Sequence, residues 1–241
     1  MLRFRAPDRM AWLLPIVIVP VCAQAPRARD LYYEKETPAA AVVPVAQHLG
    51  VRYNLLKVDP PTRAVQAADP DGNFKEGDCF ALDFVPNRDG QLYIFNLGSS
   101  GEWQLLLPSP SMPGEIRMVK AGATVRVPQQ FCFALDARKG VETMLVAVTN
   151  DQKDMDRFSS EMRASILKPG APSPAETTVV TKLVRDEVTK WQQQQLTGRD
   201  IFVEKVSAAE SAGEMPYSVY VVQNSSAESS HFVVEIKIRH E

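Results

Sequence analysis

A period of two dominates this chain. Near its end Phe232, Val234, Ile236 and Ile238 alternate with Val233, Glu235, Lys237 and Arg239. Only an extended backbone sends successive side chains to opposite faces, and this apolar/charged split needs one face buried and one wet. Shorter runs of the same kind recur at 51–58, 80–85, 92–97, 103–107, 125–128, 131–135, 144–149, 201–206 and 217–222. Breakers stand between them: Pro60-Pro61, Asp71-Gly72, Asp89-Gly90 and Gly98-Ser-Ser-Gly101. Glycine takes a positive φ there without a Cβ clash. Many short strands at turn-limited spacing predict a mainly β fold, an antiparallel β-sandwich-like (Ig-like) domain rather than a parallel α/β sheet. Runs 92–97 and 103–107 read as a hairpin, and 131–135 as a strand that turns Phe131, Phe133 and Leu135 inward.

One stretch breaks the period. Asp154 can cap a helix running to about Leu167, and the Pro-rich 168–174 stops it. From Thr177 the apolar residues Val180, Leu183, Val184, Val188 and Trp191 recur at helical spacing. The expectation is a helical insertion of about two helices over 154–196, with strands resuming at 200–239.

The N-terminus reads as an address. Arg3, Arg5 and Arg9 precede the apolar run 11–21, and Ala23-Gln-Ala25 supplies small residues. That is the layout of a secretory signal peptide, and the apolar run is shorter than the roughly 20 residues a membrane-spanning helix needs. The expected organisation is a signal peptide over 1–23, a tether or arm over 24–49 whose Tyr32-Tyr33 pair can dock, and one β-rich domain over 50–241. Cys22 leaves with the signal. Cys79 and Cys132 remain as an even pair in an oxidising compartment, open to two readings: a disulfide or two half-buried thiols. Each sits opposite the apolar face of its strand. With 27 basic and 29 acidic residues the net charge is −2, and no basic stripe exists to neutralise phosphates, so nucleic acid is not expected as a partner.

The order of certain pieces resembles a bacterial family known as domain of unknown function 4384. Phe74 and Gly77-Asp78 resemble its Phe-x-x-Gly-Asp opening. Residues 89–95 resemble its Asp-Gly-Tyr-Leu-Tyr-Val-Phe strand, with Gln91 in place of an aromatic. Residues 105–108 resemble its Leu-Leu-Phe-Pro segment, and Ala121-Gly122 and Val127-Pro128 also match. The resemblance is best over 69–150; the flank 49–53 and a final hairpin are similar to outlying parts of some members. It implies an exported or envelope-associated accessory domain and carries no catalytic residues.

Catalytic patterns are scarce. His48, His231 and His240 have no metal-ligand spacing, and no nucleophile elbow or phosphate loop occurs. No cofactor and no small-molecule substrate are expected. Asp69, Asp71 and Asn73 alternate as calcium ligands do, but Phe74 stands where the loop wants glycine, which favours a plain turn. The stiff loop 108–113 displays Met112, and a docking surface is expected at Trp103, Pro108, Ser109 and Met112. The resulting expectation is an exported, periplasmic or envelope-associated, non-enzymatic interaction or scaffolding module that binds a protein partner and has no integral membrane span. One alternative is a carbohydrate- or peptidoglycan-binding module using Trp103 or Tyr217. Another is a hydrolase that brings Asp83 and Asp136 together.

Overall fold

Alternation sorts each strand's side chains onto two faces, and in the computed structural model of the chain one face of every long strand meets the same core. The structure describes residues 26–34, 47–98, 103–108, 118–151, 153, 178–179, 186, 189–190, 193, 201–207, 209–210, 215–225 and 231–241. The expected signal peptide lies outside them. In chain order the elements are α1 (Ala28–Tyr33), β1 (Gln47–Val58), β2 (Val65–Ala68), β3 (Asn73–Phe74), β4 (Cys79–Pro86), β5 (Gly90–Leu97) and β6 (Trp103–Leu107). Then follow β7 (Met118–Val119), β8 (Val125–Val127), β9 (Phe133–Ala134), β10 (Gly140–Thr149), β11 (Thr178–Val179), β12 (Ile201–Lys205), β13 (Val219–Ser225) and β14 (His231–His240).

These strands form two sheets. Sheet A runs β12-β13-β1-β4-β8, with β2 also on β1 and β9 also on β4. Sheet B runs β11-β6-β5-β10-β14-β3, with β7 also on β5. Val51, Tyr53 and Leu55 of β1 and Phe80, Leu82 and Phe84 of β4 share one core with Ile94 of β5, Met144 and Val146 of β10 and the alternate residues 232–238 of β14. At about 25 cal/mol per Å² of apolar surface, this inter-sheet layer is the main stabilising contribution.

Two parts of the expected fold need correction. The two-helix insertion does not stand: the one helix element among the described residues is the six-residue α1. Where the second helix was to begin, Thr178 and Val179 are strand, paired with Leu105 and Gln104. The run Thr177-Thr-Val-Val180 is β-branched, and stiff χ1 angles favour an extended backbone. The rest of 154–196 lies outside the described residues apart from isolated helical positions 186, 189, 190 and 193. The Ig-like reading also fails on topology. An Ig-type first strand lies at a sheet edge, whereas β1 is central, between β13 and β4, and β3 joins β14 in parallel. The final two strands are not a hairpin either, because β13 and β14 lie in different sheets.

Candidate functional site

The residues behind the family resemblance build the frame. Phe74 is buried in the core. Gly77 sits at φ 78 with open space around it, and the Asp78 carboxylate accepts the Lys75 N–H at 3.0 Å and faces the Lys57 ammonium at 2.6 Å. Burial opposes ionisation of Asp78, but its bonds to Lys57 and Lys75 outweigh that and hold its carboxyl below the usual range. The Asp89 carboxylate accepts the Ala121 N–H at 2.8 Å, and the Gly122 N–H bonds to the Pro86 carbonyl at 2.8 Å. A Cβ on Gly90 would stand 2.8 Å from the Thr149 carbonyl oxygen. These motifs fasten one turn to another.

The outer face of sheet A is different. Register sets Arg52 opposite Val85, Asn54 opposite Asp83, Leu56 opposite Ala81 and Val58 opposite Cys79. The first row is covered by α1. Tyr32 packs with Val85, Val206, Tyr220 and Val222, and its hydroxyl donates to the Val85 carbonyl at 2.9 Å. The second row is polar and satisfied. Asn54 donates to Ser218 at 2.9 Å, and Arg126 meets both Asp83 oxygens at 2.7 and 2.8 Å.

Val58, Cys79 and Ala81 of the last two rows floor an open groove of about 480 Å³, within the size range of ligand sites. Cys79 and Cys132 form a disulfide in this floor, with Cα atoms 5.5 Å apart. One wall is the turn joining β1 to β2, with Pro60 and Arg63, and the first residue of β2, Val65; the other is 128–132, with Gln130 and Phe131. Arg63 Nη2 donates to the Gln130 carbonyl at 3.1 Å and ties the walls together. Phe131 is 63% exposed and Val65 43% exposed. Phe131 therefore does not face the core as expected. The chain bends at 128–131 before β9 begins, so the period of two restarts at Phe133.

Other expected site residues fall elsewhere. Trp103 and Pro108 lie on and just after β6 in sheet B, away from the groove, and Pro108 is buried. Ser109 and Met112 lie outside the described residues. Asp83 is engaged by Arg126, while the exposed Asp136 accepts the Arg138 N–H at 2.8 Å. Asp136 follows Leu135, which bonds to Asp78, five residues along β4 from Asp83 and so roughly 16 Å away. The two carboxylates do not share a cleft. Tyr217 is half-buried at φ 61. Asp69 and Asp71 both contact the Lys205 ammonium, at 2.9 Å for Asp69, so a lysine occupies the place a calcium ion would take. Among the described residues no three His, Cys, Asp or Glu side chains gather as metal ligands.

The segment containing most of this frame has relatives. Residues 73–152 match the DUF4384 family. The family is described as a domain of unknown function, and the match spans about a third of the chain, from β3 to just past β10. No curated protein and no solved structure matches the chain. The DUF4384 segment supplies the disulfide, Ala81, Arg126 and the Phe131 wall of the groove. Val58, Pro60, Arg63 and Val65 come from outside it. No sequence signal marked the groove, because its two walls are more than sixty residues apart in the chain and are brought together by the pairing of β1 with β4.

Proposed function

We propose that this protein is an exported, non-catalytic binding module of the bacterial cell envelope that holds a polypeptide partner in the outer-face groove of sheet A. The observation that carries the reading is Phe131, a large apolar ring left in water beside the Cys79–Cys132 disulfide. Exposed aromatics on rigid supports are the usual anchors of protein interfaces. The disulfide supports an oxidising compartment, in line with the N-terminal signal pattern. No helix among the described residues is long and apolar enough to cross a membrane.

The test is affinity capture from crosslinked native envelopes with the wild-type chain and Phe131→Glu side by side. A stoichiometric protein partner held by wild type and lost with the charged variant supports the reading. Identical captures sink the groove as the binding surface. Cell fractionation supplies the second check, since a cytoplasmic protein would remove the envelope role.

A further inference from the structure

We infer that the groove reads a carboxylate: its occupant is an extended apolar segment of a partner protein carrying an acidic side chain, which Arg63 holds. This rests on the groove being the binding surface.

Charge points this way. The lining has two cations, Arg63 and Arg126, and no carboxylate. Arg126 is committed to Asp83 through both arms of its guanidinium. Arg63 gives one of its five N–H donors to the neutral Gln130 carbonyl, and no carboxylate among the described residues pairs with it. A charge-assisted, planar fork therefore faces an apolar trough with donors to spare.

The backbone points the same way. Arg63 holds φ 58, the left-handed region that glycine takes without a Cβ clash. Its turn is fixed by Asp59 N–H to the Ala64 carbonyl at 2.9 Å and Arg63 N–H to the Asp59 carbonyl at 2.7 Å. Glycine would serve the turn better, so the arginine there is retained for its head group, which ties the walls with one donor and keeps the others for an occupant. The trough is open to solvent, which leaves a free alkyl chain half wet but suits a polypeptide segment with one face inward. That favours a protein segment over a fatty acid, the other apolar carboxylate.

The experiment selects random short peptides, capped at both ends, on the immobilised full chain. Fluorescence anisotropy then compares an acidic binder with its Glu→Gln counterpart. Because Arg63 is exposed, the expected preference for Glu is modest, about fivefold. Arg63→Gln should abolish it and Arg63→Lys should keep part of it. Phe131→Ala should weaken both peptides alike. Equal binding of the Glu and Gln peptides, with Phe131→Ala still harmful, overturns the carboxylate inference and leaves the groove reading standing. Binding indifferent to Phe131→Ala overturns both. Palmitate displacing the peptides at lower concentration overturns the polypeptide occupant.

Discussion

Arg63 sets two demands against each other. Its left-handed backbone costs about 1–3 kcal/mol for a residue with a side chain, while its guanidinium ties the two groove walls. Arg63→Gly removes both, and glycine's extra freedom in the unfolded chain offsets part of the relief. The expected outcome is unchanged or slightly raised stability in urea, by up to about 1 kcal/mol, with the preference for acidic peptides lost. A clear destabilisation would mean the wall-to-wall bond outweighs the strain. Arg126 behaves oppositely. Its two bonds satisfy the carboxylate of Asp83, a residue only 7% exposed, so Arg126→Met leaves that charge without its partner. The half-exposed arginine moderates the loss to about 2 kcal/mol, and urea unfolding of Arg126→Met beside Asp83→Asn measures it. Equal stability of wild type and Arg126→Met would show that water already serves Asp83.

Helix α1 shows how an element can depend wholly on what it touches. Six residues whose own N-cap, Arg27, makes no side-chain cap bond fall far short of the roughly 12–15 that an isolated helix needs, so its docking must hold it. Tyr32 is the anchor, and Arg27 faces Glu204 at 2.5 Å on β12. Tyr32→Ala should release α1 and raise tryptic cleavage after Arg29 about tenfold or more, from an anchor worth over 1.4 kcal/mol. An unchanged cleavage rate would place the anchor in the other contacts of α1, the Arg27–Glu204 pair among them. Elements of this kind are hard to read in advance: Tyr32 and Tyr33 showed docking potential, but their receiving face on β4 and β13 is set by pairing across the whole chain. Strands were easier. β14 matched its alternation almost residue for residue, and β6 matched its expected bounds, because burial of one face leaves a periodic trace. The two-residue strands β3, β7 and β11 left none, and at β11 a helical spacing of apolar residues masked a β-branched run. At the site, parity put Cys79 on the non-core face and left the disulfide open. The period misled at Phe131, where the chain bends out of the strand.

At the scale of the molecule, stability should be lost on both sides of neutrality. The Asp71 N–H and the Lys205 ammonium hold Asp69 below the usual carboxylate range, and Asp78 is held low as well. Depressed folded values give stability that is present above the unfolded pKa and lost as pH falls below about 4. Burial pushes Tyr32 and Tyr53 up from 10.0 to about 12. That contribution is complete below pH 10 and declines as pH rises toward 12. Urea midpoints across pH should fall at both ends, and Tyr53→Phe should flatten the alkaline limb; an unchanged limb would show that the buried hydroxyl is not its source. The disulfide binds the groove to this global balance. It joins residues separated by 53 positions, for which loss of unfolded-chain entropy predicts about 4 kcal/mol. The paired Cys79→Ser, Cys132→Ser variant should lose that much in urea, and dithiothreitol should bring wild type to the same value while leaving the variant unchanged. Its effect on binding then separates two ways of holding the Phe131 wall. Residues 128–132 have no ladder partner, and β9 beyond them pairs through only two residues, so side-chain ties such as the disulfide and the Arg63–Gln130 bond hold the wall. Lower peptide affinity in the folded double variant at low temperature assigns the wall to the disulfide. Unchanged affinity assigns it to contacts other than the disulfide, the Arg63–Gln130 bond among them, and the covalent bond would then serve the fold alone.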